Sequence, residues 1–414
     1  MNSALSARVT PHQVRDLRGS AAIVGAYEHP LRVAPTKSEW LMQAESIIGA
    51  LDDAGLKRSD VDAFFTVATS PEGGYVRESA ASMLCDYLNL TPRFIDETDI
   101  GGAAFGLFLN RAVTAINAGL IETAVIGYGA CTRSQATKVG TRNFGDLIDR
   151  PTMPFPDAFM EPWGTTIIGY IGMLMQRQMH ERGITSEQLA SVAVAARNYG
   201  ALNPDAVMRK PITVDDVLNS PMIATPVHRL DCCIITDGGG AIVLTTPERA
   251  RDLRKPPIWV RGFGEAVTNS RGGHSNWFGD WVDMVRVAGE RAYEMAGVTP
   301  GEVDVAQVYD AFTVAVPVAL EALGLCAPGE AGAFIGAGGI DPGGELPLNT
   351  DGGGLCSNHP GRRGLFLLIE AVRQLRGEAP GWQAADPEIA IVSASGSAYI
   401  GVQGGAAAIL SKER

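Results

Sequence analysis

Apolar residues recur along this chain at two spacings. Short β-branched and aromatic runs, "SAAIVGAYE", "VDAFFTVAT", "ETAVIGYGA", "GAIVLTT", "PIWVRGFGEAV", "VDVAQVYDAF" and "EIAIVSAS", read as strands that bury both faces. Between them, segments such as "WLMQAESIIGALDDAG" and "FGLFLNRAVTAINAG" carry apolar residues at i, i+3, i+4 and i+7, the spacing of one helix face. Glycines cluster after the strand runs, where a strand must turn tightly into a helix. Strands alternating with helices predict an α/β fold.

The two halves of the pattern repeat. "AGLKRSDVDAFFTV" returns as "AGVTPGEVDVAQVY", aligning Asp62 with Asp304, and each copy follows a helix that ends in Ala-Gly. Further on, "GLFLNRAVTAINAG…ETAVIGYG" is answered by "GLFLLIEAVRQLRG…EIAIVSAS", aligning Leu107 with Leu365 and Glu122 with Glu388. Matches kept in order indicate duplication rather than coincidence between amphipathic helices. The expected organisation is a polar lead-in (1–20), an N-terminal half (21–130 with 232–250), an inserted loop domain (131–231) and a C-terminal half (251–414). The insertion, with "RPTMPFPDAFMEPWG" and two long helical patterns, is too long for a plain connection and is expected to shape a binding site.

Composition narrows the function. Hydrophobic residues make up 46% and charged residues 19% of the 414 positions, as in globular proteins. No run reaches the roughly 18 apolar residues of a membrane span, and the first residues lack the apolar core of a secretory signal, so a cytoplasmic protein is expected. A net charge of −12 disfavours general nucleic-acid binding. The six cysteines form no CxxC pair and stand near no His at zinc-ligand spacing, which predicts neither a metal site nor a disulfide framework. "GFGEAV" lacks the third glycine of a dinucleotide turn, and no Gly run ends in GK[ST].

At "ETDIGGAAFGLFL" a run meets a helix start without any Ser, Cys, Lys or His. This bare start, the duplicated halves, the helical insertion and "TDGGGAIVLT" resemble the thiolase superfamily over nearly the whole chain. The resemblance implies a duplicated thiolase fold: two βαβαβ-type halves, each with a mixed five-stranded sheet, around buried helices. It places the superfamily's nucleophilic cysteine at Gly102. Glycine cannot form an acyl-enzyme, yet amides at a helix start favour negative charge, so Gly101 and Gly102 become candidate oxyanion residues.

Three further blocks carry the resemblance. "LPLNTDGGGLCSNHPGRRGLFLLIEAV" resembles the Asn…Gly-Gly…Gly-His-Pro segment and makes His359 a candidate catalytic residue, with Asn358 in place of the usual Gly as a candidate substrate contact. "VYDAFTVAVPVALEALG" puts Tyr309 and Asp310 where the superfamily has its Asn-Glu or His-Asp pair. "SASGSAYIGVQGGAAAIL" matches the C-terminal Cys-x-Gly loop without its cysteine; Gly396, Ser397 or Tyr399 stands near that place.

A thioester enolate, a phenol, an imidazole and no thiol fit retro-aldol cleavage rather than thiolysis. The chain is therefore similar to the thiolase-like aldolases that shorten steroid side chains, related to the sterol-carrier-type thiolases. Those enzymes have a Tyr-Asp-x-Phe segment, here Tyr309 to Phe312, and a second catalytic tyrosine where this chain has Ser357, leaving Tyr399 or Ser357 to take that task. The resemblance implies coenzyme A as part of an acyl-CoA substrate, with no covalently bound cofactor. It also implies a homodimer and a small partner subunit of zinc-ribbon and OB-fold type. Two other readings are an acyl transferase using a non-standard thiol such as Cys356, and a non-catalytic acyl-CoA-binding subunit.

Overall fold

Every apolar run of the sequence forms a strand, and period-two alternation decides which layer each side chain enters. In this computed structural model, residues 17–67, 79–138, 167–269, 277–396 and 402–414 are described. The strands are β1 (Ala22–Glu28), β2 (Ala63–Thr66), β3 (Phe94–Glu97), β4 (Thr123–Ala130), β5 (Met222–Ala224), β6 (Val227–His228), β7 (Gly238–Thr245), β8 (Ile258–Asn269), β9 (Val305–Val308), β10 (Ile389–Gly396) and β11 (Val402–Ser411). The helices that matter for the site are α1 (Glu39–Ala54), α2 (Ala80–Leu88), α3 (Ala104–Asn117), α4 (Ile167–Arg182), α5 (Ser186–Leu202), α6 (Trp277–Ala296), α7 (Ala315–Ala322), α8 (Gly353–Cys356) and α9 (Gly364–Arg376).

The sheet runs β3-β2-β4-β7-β1-β8-β11-β10-β9. The first half contributes five strands and the second four among the described residues. The halves meet through a short antiparallel pairing in which Ala22 faces Trp259 and Ile23 faces Ile258. In the second half the counterpart of β3 is reduced to a single parallel bridge between Ala306 and Leu348. Asp62 and Asp304 do the same work in each copy. Asp62 accepts from the N–H groups of Glu122 and Thr123 at 3.0 and 3.2 Å, and Asp304 from those of Glu388 and Ile389 at 2.8 and 2.9 Å.

Between the two halves of the sheet lies a shared core built on α3 and α9. Ile23, Ile126, Ile242, Val392 and Leu410 face it, together with Phe105, Phe108 and Leu365. Their strand neighbours Val24, Val125 and Val243 pack outward with α1 and α2, and Ile391 and Ile409 pack outward with α6 and α7. Both strand faces are thus covered, which is why the strands read as continuous apolar runs. The inserted segment contributes α4, α5 and the β5–β6 hairpin, while "RPTMPFPDAFMEPWG" lies outside the described residues. Among those residues, no helix is long and apolar enough to cross a membrane.

Two strands of the nine-stranded sheet have no counterpart among the sequence runs, and neither do β5 and β6 of the separate hairpin. β3 is a short edge strand with two acidic residues in four, and β11 sits in "VQGGAAAIL", which reads as a glycine loop. The small residues of β11 are imposed by its neighbours. A Cβ on Gly405 would meet Met284 Cγ at 2.8 Å, and one on Gly106 of α3 would meet the Ala406 Cβ at 2.4 Å.

Candidate active site

The site forms where the N-termini of the two buried helices meet. A Cβ on Gly364, the first residue of α9, would lie 1.9 Å from the Gly102 carbonyl oxygen, so the two helix starts touch backbone to backbone. Gly101, at φ +54, makes the turn that lets the chain enter α3, and no side chain caps that helix. Helix starts carry unpaired amides and partial positive charge, and here two of them converge.

Tyr309 occupies the junction. It leaves the end of β9, with its backbone N–H donating to Ser393 O at 3.0 Å. Its ring fills the space beside Gly102: a Cβ there would stand 2.1 Å from Tyr309 Cε2 and 2.9 Å from Cζ. The aromatic ring therefore takes the volume that a side chain at position 102 would need. The phenol oxygen lies 3.2 Å from His359 Nε2 and accepts a long 3.5 Å contact from the Arg363 backbone N–H at the start of α9.

Burial sets the protonation of both groups. The Tyr309 phenol is pushed well above its usual range by desolvation, with Cys233 adding to the shift and the Arg363 N–H opposing it. Desolvation, helped by the Arg363 guanidinium, lowers His359 to about 4, so the imidazole is neutral near pH 7. A neutral phenol thus faces a neutral imidazole able to accept its hydrogen bond.

Arg363 anchors the loop beneath them. Fully buried, it donates to both Asp351 oxygens at 2.5 and 2.7 Å and to Asn358 O at 2.7 Å, and its Nε lies 3.5 Å from Asp310 Oδ1. Asp310 Oδ1 also accepts from the Gly354 N–H at 2.8 Å. Asp310 is therefore directed at the α8 loop and Arg363, and no hydrogen bond joins it to the Tyr309 hydroxyl. Burial raises the Asp310 carboxyl above its usual range, and the Arg363 guanidinium and the Gly354 N–H oppose that rise.

The other candidates fall into place unevenly. Asn358 is fully buried with both polar side-chain atoms engaged inside the protein: Oδ1 accepts from Thr236 Oγ1 at 2.7 Å and Nδ2 donates to Glu28 at 2.9 Å. Both polar atoms of the expected substrate contact are thus spent within the protein. Gly396 ends β10 against the Ile100–Gly101 backbone, where a Cβ would lie 1.6 Å from Ile100 O; this packing supports Gly101 from behind. Ser357 is buried, and its hydroxyl has no hydrogen-bond partner among the described residues. Tyr399 and Ser397 lie outside them.

None of the nearby thiols is activated. Cys356 donates to the carbonyls of Ala196 on α5 and Gly352, both at 2.9 Å, and burial pushes its pKa far up. Cys232 and Cys233 are each raised to about 12, chiefly by burial and then by a neighbouring aspartate. A narrow crevice, bordered by Trp281, Val285, Val318, Ser393 and Ser395, runs up to Tyr309.

Sequence reasoning missed Arg363, Asp351, Thr236 and Glu28. The Arg362-Arg363 pair directly ahead of the apolar run Gly364–Ile369 that opens α9 was the available signal, because a cation at the start of a buried helix demands a buried acid. Glu28 carried none, being 330 residues from its partner.

The chain is similar to known proteins along most of its length. Residues 265–412 match the family described as Thiolase C-terminal domain-like. A steroid side-chain-cleaving aldolase of Thermomonospora curvata is 34% identical over 368 residues, 87% of this chain and 91% of the relative. A 17-hydroxy-3-oxo-4-pregnene-20-carboxyl-CoA lyase of Mycobacterium tuberculosis is 33% identical, covering 87% and 92%. A solved Ltp2-ChsH2(DUF35) aldolase superposes with a TM-score of 0.81 at 30% identity, covering 96% of this chain and 99% of that one. With relatives of this kind matched along most of its length, the chain belongs to the thiolase superfamily, in the branch of the thiolase-like aldolases.

Proposed function

We propose that the protein is a retro-aldolase that cleaves the Cα–Cβ bond of a β-hydroxyacyl-CoA, releasing a ketone or aldehyde and a shorter acyl-CoA. The observation that carries this reading is the Tyr309 ring standing in the space beside Gly102 with its hydroxyl on neutral His359. The aldolase and lyase relatives support a steroid side-chain CoA thioester as the substrate class.

The proposed steps need no acyl-enzyme. Because the phenol's pKa is raised, no phenolate stands ready. Tyr309 takes the β-hydroxyl proton as its own passes to His359 Nε2. The Cα–Cβ electron pair becomes the thioester enolate, whose oxygen is held by the amides at the Gly102 helix start. An imidazolium in this dry setting is a strong acid, so it returns the proton through Tyr309 to Cα. Such general acid–base transfer is worth about 10²–10⁴-fold in rate. Asp310 and Asn358 position the groups without touching substrate, and coenzyme A enters only as part of the substrate.

The test is product analysis with a panel of β-hydroxyacyl-CoA thioesters, run with and without prior thiol alkylation. We expect equal yields of carbonyl product and shortened acyl-CoA, no loss on alkylation and no acylated protein by intact mass. An acylated form would instead point to transfer through a thiol. Turnover of every panel member left unchanged by His359→Ala would remove the imidazole from the scheme.

Two assembly features belong to the same reading. Among the described residues β3 ends the sheet with an unpaired edge, and Phe94 and Ile95 on it are 38% and 43% exposed beside Tyr87 of α2 at 60%. An apolar open edge of this kind invites pairing with a second copy. Ile95→Lys is expected to shift a homodimer toward monomer by light scattering. The second component named for the solved aldolase supports a small partner subunit, to be sought by co-purification and mass spectrometry.

A further inference from the structure

We infer that Thr236 is a positioning residue that clamps His359 against Tyr309, acting through Asn358 and Glu28. The inference rests on the functional reading above. The Thr236 hydroxyl accepts from the His359 backbone N–H at 3.0 Å and donates to Asn358 Oδ1 at 2.7 Å. The Thr236 N–H in turn donates to His359 O at 3.3 Å. One residue therefore grips the histidine on both sides and its predecessor as well.

The clamp is anchored at the far end. Asn358 Nδ2 donates to Glu28 Oε1, and Glu28 is held by Arg32 at 2.7 Å and by Arg373 of α9 at 2.7 Å. These cations, with the Asn358 bond, keep the Glu28 carboxyl at about 2 against its burial, so the anchor is charged at any working pH. Asn358 fits only because residue 238 is glycine, where a Cβ would lie 2.9 Å from Asn358 Oδ1. The chain of bonds links β1, the segment before β7 and the loop before α9.

The clamp matters because the Tyr309–His359 contact is a single 3.2 Å approach made by a loop rather than by a regular element. A misplacement of about 1 Å in such a pair costs on the order of 10²-fold in rate. Thr236→Val keeps the volume and removes the hydroxyl, whereas Thr236→Ser keeps the hydroxyl.

The experiment compares kcat, KM and melting temperature of these two variants on a β-hydroxyacyl-CoA, and follows the His359 imidazole by NMR titration, assigned with His359→Ala. In Thr236→Val, kcat is expected to fall on the order of 10²-fold at unchanged KM. Its His359 titration should move upward from about 4 toward the ordinary 6.5 as water reaches the ring. Thr236→Ser should keep both near wild type. Wild-type kcat in the valine variant, equal loss in both variants, or an unmoved titration would each overturn the clamp. If His359→Ala itself keeps full activity, the functional reading fails, while the titration still judges the clamp.

Discussion

Gly102→Ala is expected to lower kcat/KM by on the order of 10²-fold or more while the protein remains folded. The added methyl would sit 2.1 Å from Tyr309 Cε2, well inside the separation of about 3.5 Å at which carbon atoms rest. The ring cannot retreat freely, since its backbone is tied to Ser393 and its hydroxyl to His359 and Arg363. Gly102 has no positive φ, so the whole effect comes from this contact and none from backbone strain. Overpacking of this kind costs about 1–3 kcal/mol, visible as a lowered melting temperature. Adding Tyr309→Ala should recover stability without recovering turnover, a non-additivity expected only of side chains in contact. A wild-type rate in Gly102→Ala would mean that the ring does not work from this position.

Tyr309→Phe separates the ring from its hydroxyl. The ring still fills the space beside Gly102, so the fold should stand, with a stability change of about 1 kcal/mol for the lost hydrogen bonds. The rate should fall by about 10²–10⁴-fold, because β-hydroxyl deprotonation loses its carrier. Since Tyr309 and His359 pass the same proton, combining Tyr309→Phe with His359→Ala should cost little beyond either change alone. Losses that add fully in the double variant would show that the two residues act separately, against the proposed relay.

Sequence and structure divide the credit unevenly. Asp62 and Asp304 were legible as a repeat because each caps the strand that follows its own helix, a contact that recurs at the same place in both copies. Tyr309 and His359 were legible because each stands in a block of fixed order beside glycines. β11 was not, since its Gly-Ala composition carries no strand preference and answers only to α3 and α6 pressing on its two faces. Asp310 and Asn358 were read as catalytic and substrate-binding from their neighbours in the chain. In space, one turns to Arg363 and the other to Glu28 and Thr236.

By itself, then, the sequence determined the alternation of strands and helices and the duplication, because these depend on local spacing and residue type. Only the tertiary structure decided that a tyrosine ring from β9 fills the space left at the start of α3. Only it showed that Cys356 is locked under α5 and that Glu28 holds the histidine loop from 330 residues away. The physical reason is that a side chain's hydrogen-bond partners and its hydration, and hence its protonation, are set by whatever the fold packs against it.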